Sequence, residues 1–200
     1  MRDLAEKWAA FVLANLLWCL LAVPLITIPA ATAGLFAGMG QRSRGQQSEL
    51  FATFFGAMRR LWLKATVVGV LNLLIAGLIA VNFSIFRLMS TLDLVGFLAR
   101  SVTLFMAFAL LMINLYVWPL MVVTDFPVRR LVETSIVLVF AHPVRSIGVL
   151  IGAAIPMVIS LLLPRAVFLF VTVSTCASII TLGTWPIIRR YVPGGILTDL

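Results

Sequence analysis

Trp8-Ala9-Ala10-Phe11-Val12-Leu13-Ala14-Asn15-Leu16-Leu17-Trp18-Cys19-Leu20-Leu21-Ala22-Val23-Pro24-Leu25-Ile26-Thr27-Ile28-Pro29 contains no charged residue, and the apolar run that it opens continues to about Met39. About 20 apolar residues in helical form match the hydrocarbon thickness of a bilayer. Four similar runs follow, at about 65–86, 101–123, 144–163 and 166–188. They are continuous rather than alternating, which predicts helices and not barrel strands. The whole chain agrees: 62% of its 200 residues are hydrophobic, 11% are charged, and the mean hydropathy is +1.15. A soluble domain carries about a quarter charged residues. The expected fold is a single all-α domain over residues 1–200, a polytopic membrane bundle of about five transmembrane helices with the lipid bilayer as its solvent.

Pro24 and Pro29 remove backbone donors from the first run, so a kink or break is expected at the end of a span over about 8–29. A re-entrant pair there would raise the count from five spans to six. The Ala31-Thr32-Ala33 triplet has the composition of a leader cleavage site. The apolar run before it is too long for a leader, and Asp3 and Glu6 sit where a leader is cationic; it is read as retained.

Two amphipathic helices are expected on the cytoplasmic surface. In the first, about 49–62, Phe51, Phe54, Phe55, Met58 and Trp62 recur at helical spacing opposite Glu49, Thr53, Gly56 and Arg60. The second, about 126–141, sets Val132, Ile136, Val139 and Phe140 against Arg130, Glu133 and Thr134, and His142-Pro143 ends it. Thr124-Asp125-Phe126-Pro127 reads as its start, with an Asx-type cap and proline in the first turn.

The formal charge of +8 raises the question of nucleic acid. The basic residues lie between apolar runs, where they orient membrane proteins, and no nucleic-acid partner is expected. With five spans, ten Lys and Arg fall on the side of the C-terminus and five on the side of the N-terminus. The C-terminus is therefore expected in the cytoplasm and the N-terminus outside. Asn15-Leu16 ahead of Trp18 and Pro24, and Asn114-Leu115 ahead of Trp118-Pro119, form a weak pattern that allows a parallel half-repeat.

Trp8 through Trp18, the Pro29-Ala30-Ala31-Thr32-Ala33-Gly34-Leu35-Phe36 stretch, and the aromatic segment running into Leu63-Lys64-Ala65 resemble the YesL family, small bacterial integral membrane proteins of unassigned function. The resemblance is densest over the first 70 residues. It implies a bacterial cytoplasmic-membrane protein whose gene lies near sugar ABC importers and polysaccharide-degrading enzymes. It supplies no catalytic residues to carry over.

The residues themselves offer no chemistry of bond making. No carboxylate lies deep in a span, and Cys19 and Cys176 sit in apolar runs without metal-binding spacing. No enzyme activity, cofactor or metal is expected. Two sets of candidate residues remain. Asn15, Asn114, Pro24, Thr27, Pro29 and Thr32 offer a polar path or a broken-helix site, against the plainer reading that they fix helix packing. Phe51, Phe54, Phe55, Arg59, Arg60 and Trp62 offer a basic-aromatic docking belt for a partner or for lipid. The expected function is that of a non-enzymatic accessory or interaction subunit of a membrane complex, such as a carbohydrate ABC importer. The alternative is a small solute permease acting as an oligomer. The partner is thus either another membrane complex or a second copy of the chain.

Overall fold

The computed structural model describes residues 2–43, 49–88, 94–162 and 171–191, with the side chains of 2–7, 43, 87 and 88 outside the description. Seven helices are formed among the described residues: α1 (Arg2–Ala22), α2 (Ile28–Ser43), α3 (Leu50–Leu88), α4 (Leu94–Val123), α5 (Val128–Ala141), α6 (Pro143–Leu162) and α7 (Val173–Tyr191). The fold is an all-helical membrane bundle. Stretches within α3, α4 and α6 are long and apolar enough to cross a bilayer.

The first run is where the structure departs most from a simple span. α1 stops at Ala22, and Leu25 takes the left-handed backbone conformation, with φ 47°. A leucine pays for that conformation with steric strain. The Thr27 hydroxyl bonds back to the Leu21 carbonyl, and the chain re-enters helix at Ile28. The indole N–H of Trp18 then donates to Thr32 Oγ1 at 3.1 Å. Fourteen residues of straight helix would hold these groups about 21 Å apart. The prolines therefore mark a reversal rather than a bend, and α1 and α2 form an antiparallel hairpin.

α2 is the centre of the bundle. Ala30, Ala31, Ala33, Leu35, Phe36, Ala37 and Met39 are all buried. Small residues let α3 approach closely. A Cβ on Gly34 would stand 2.8 Å from the Phe54 carbonyl oxygen, and one on Gly38 would stand 2.9 Å from Leu50 Cδ1. Pro29 in turn covers Gly69. These contacts run in antiparallel order.

α3 continues unbroken from Leu50 to Leu88, so the segment expected on the membrane surface and the segment expected to cross it are one helix. Its inward stripe is Leu50, Phe54, Ala57, Leu61, Ala65 and Val68, at spacings of three and four. Beyond Gly69 no described side chain of the helix is fully buried, although α4 stays beside it at Asn72 and Phe86. Its most apolar stretch is only 6% buried, with Leu73, Leu74 and Leu78 pointing outward. Such a surface is the expected solvent face of a helix in lipid.

α4 returns antiparallel to α3. Arg100 Nη2 bonds the Phe86 carbonyl at 2.7 Å near one end, and Lys64 Nζ meets Asp125 Oδ1 at 2.6 Å at the other. α4 begins at Leu94, earlier than the expected boundary near 101. Asp125 does not cap α5, contrary to the sequence reading. Its carboxylate goes to Lys64, and Pro127 is the N-cap residue without a side-chain bond. α5 buries Leu131, Ser135 and Leu138, while Val137 and Phe140 face out. The face on the bundle is therefore rotated from the Val132–Ile136–Val139 face. The His142 backbone N–H closes α5 on the Leu138 carbonyl, and α6 starts at Pro143.

α6 and α7 are antiparallel. Gly183 receives Val149, and Arg145 Nε donates to the Gly183 carbonyl at 3.2 Å. The expected fifth span over 166–188 begins outside the described residues; its remainder is α7.

Candidate functional site

The asparagines Asn15, Asn72 and Asn114 within the apolar helices all have partners. Asn114 and Asn72 exchange reciprocal side-chain hydrogen bonds at 2.8 Å. Asn114 also donates to the Leu110 carbonyl, and its oxygen accepts the Trp118 indole N–H at 3.1 Å. One amide thus ties α3, α4 and an aromatic ring. Asn15 is fully buried and serves another junction: its oxygen accepts the backbone N–H of Ser174 at 2.9 Å, while the Ser174 hydroxyl donates to the Phe11 carbonyl. Asn15 and Asn114 therefore engage different helix pairs. Their helices also run in opposite directions, α1 away from the Lys64–Asp125 end and α4 toward it.

The Pro24–Thr32 segment is similarly committed. Thr27 bonds Leu21, Thr32 both donates to the Ile28 carbonyl and receives Trp18, and Pro29 fills the space over Gly69. Pro24 lies at the exposed tip of the hairpin. Each of these contacts holds the reversal together.

The basic-aromatic residues divide between outside and inside. Phe51, Phe55, Arg59, Arg60 and Trp62 are exposed on α3. Phe54 is not part of that surface: it is completely buried under Gly34. The belt continues onto neighbouring elements, a feature that spacing along one helix does not reveal. Lys64 and Asp125 pair there, Arg60 reaches the Val122 carbonyl at 3.4 Å, and Arg130 stacks over Phe126 at 4.3 Å. The Lys64 ammonium, with Arg60 behind it, holds the Asp125 carboxyl below its ordinary range. His142 and Tyr191 meet edge to face at 5.3 Å at the same end.

Among the described residues no group of three or more His, Cys, Asp or Glu could hold a metal ion. Three buried polar atoms there lack a hydrogen-bond partner: His142 Nε2, Ser160 Oγ and Ser178 Oγ.

Residues 11–83 match the family described as "Protein of unknown function, DUF624". The match begins in α1 and ends in α3, so it covers the α1–α2 hairpin and the close α2–α3 contact, and less than half of the chain. No curated protein and no solved structure matches.

Proposed function

We propose that this chain is a non-enzymatic accessory subunit of a bacterial cytoplasmic-membrane complex. The observation that carries this reading is how the polar side chains of the apolar helices are used. Asn15, Thr32, Asn72 and Asn114 are spent on one another or on backbone. A solute path needs polar groups left open to the solute. That leaves the outer surfaces as the working parts: lipid-facing apolar helices and one strongly basic end.

The reversal at 23–27 supports an orientation. With α1 and α2 antiparallel, the start of α1 lies at the same end as Arg42, Lys64 and α5. Of the thirteen Lys and Arg in described segments, Arg2, Lys7, Arg42, Arg59, Arg60, Lys64, Arg129, Arg130, Arg145, Arg189 and Arg190 fall at this end. Arg87 and Arg100 fall at the other. The positive-inside rule puts the basic end in the cytoplasm, with the start of α1 and the end of α7 both there. This reading is the opposite of the expected N-terminus outside, which rested on a single pass through the first run.

The resemblance to the YesL family names the partner class: the permease subunits of a carbohydrate ABC importer. The DUF624 match over residues 11–83 is compatible with that resemblance. The test is affinity purification of a tagged chain from native membranes in mild detergent, with mass spectrometry of what accompanies it. Stoichiometric recovery of importer permease subunits is expected, with loss on Arg59→Gln/Trp62→Ala. Recovery of the chain alone as a stable homo-oligomer would sink the accessory reading and favour the permease.

A further inference from the structure

A cleft of about 360 Å³ opens at the basic end between the last turns of α2, the first turns of α3 and the end of α4. Its walls are small and apolar: Ala37, Ala52, Gly56, Ala57 and Val122. Three polar side chains line it: Gln41, Thr53 and Arg60. Gln41 is only 6% exposed. Its oxygen accepts the Thr53 hydroxyl at 3.1 Å, which leaves the NH2 as its donor. No described group accepts from that NH2. That NH2 is accessible from the cleft and free to donate to a group that enters it.

Arg60 supplies the charge. One guanidinium nitrogen reaches the Val122 carbonyl, and the remaining donors of the fork are open. Among the described residues no acidic side chain lines the cleft. Glu49 is exposed one turn before Thr53, and Asp125 is held by Lys64. The donor set therefore consists of N–H groups with one fixed positive charge, the complement of an oxyanion. The volume lies at the lower end of small-ligand pockets, which span roughly 300–1,000 Å³.

We propose that this cleft binds one phosphate group carried on a compact body, held by the Arg60 guanidinium and the Gln41 amide. The phosphate comes either from an anionic lipid headgroup or from a small phosphorylated solute, and the experiment separates the two.

The full chain is purified in mild detergent and offered two probes, phosphatidylglycerol and glycerol 3-phosphate. Phosphatidylglycerol is counted by native mass spectrometry, and glycerol 3-phosphate by calorimetry. One saturable equivalent is expected. Arg60→Gln and Gln41→Leu each weaken it by about tenfold or more, the loss of a charge-assisted or buried hydrogen bond. Arg129→Gln, exposed on α5 and outside the cleft, leaves it unchanged. A Cβ at Gly56 meets nothing within 4 Å, so Gly56→Leu is expected to fold and to block the site by filling it. Binding of the lipid without competition from glycerol 3-phosphate assigns a headgroup site; binding or competition by glycerol 3-phosphate assigns a solute site. The proposal is overturned if neither probe saturates, or if Arg129→Gln weakens binding as much as Arg60→Gln.

Discussion

Asn114 takes part in four hydrogen bonds inside the apolar helices. Its amide closes a ring with Asn72 and carries Trp118, so removing it strands one amide and one indole N–H in an apolar setting. Hydrogen bonds between membrane helices contribute about 0.6–2 kcal/mol. A double-mutant cycle with Asn72→Ala and Asn114→Ala, read by unfolding in detergent, should give a coupling energy in that range. A coupling near zero would show that the pair is incidental. Asp125 makes a different prediction, about pH. Its carboxyl is held below the ordinary aspartate range by the Lys64 ammonium, so the bond persists above that range and is lost as pH falls through the lowered one. The difference in Tm between wild type and Asp125→Asn should hold constant from pH 8 to about pH 5 and close only in stronger acid. The sequence displayed both residues but not their partners. Asp125 ahead of a proline has the pattern of a cap. Only the antiparallel return of α4 brings it to Lys64, 61 positions away.

Helices were legible where apolar length alone decides them. The apolar parts of α3, α4 and α6 lie where their runs predict, because a bilayer imposes length on any sequence that enters it. Less legible was everything set by contact. The reversal at 23–27 depends on whether chain after a proline break goes on or turns back, and composition does not distinguish the two. The glycines that matter were also partly hidden. Gly34 and Gly38 form a visible GxxxG spacing and do receive α3. Gly148 shares that spacing with Gly152 yet faces open space, while Gly183, with no motif around it, takes the closest approach: a Cβ there would stand 2.3 Å from Val149 Cγ2. Gly183→Ala should therefore destabilise by about 1–3 kcal/mol, as overpacking does. Gly148→Ala should be neutral or slightly stabilising by helix propensity. Equal effects of the two in thermal unfolding would contradict the α6–α7 packing.

At the scale of the molecule, the hairpin of α1 and α2 organises the rest. It buries α2 in the middle, offers α3 a face to dock on, and gathers basic residues of α1, α2, α3, α5, α6 and α7 at one end. The residues proposed for docking and the phosphate cleft both lie there, on a surface that no single helix carries. The sequence supplied the charges of that surface but not their convergence, because the count of Lys and Arg per side changes when the chain turns back within its first run. Everything proposed about partner and ligand presumes that this end faces the cytoplasm with α1 starting there. The direct test is labelling of single cysteines in a Cys19→Ala/Cys176→Ala background by a membrane-impermeant thiol reagent. The account predicts that Ile26→Cys, at the hairpin tip, reacts in intact spheroplasts, whereas Lys7→Cys and Arg189→Cys react only after permeabilisation. Labelling of Lys7→Cys in intact spheroplasts, with Arg189→Cys still protected, would place the start of α1 outside and contradict the reversal.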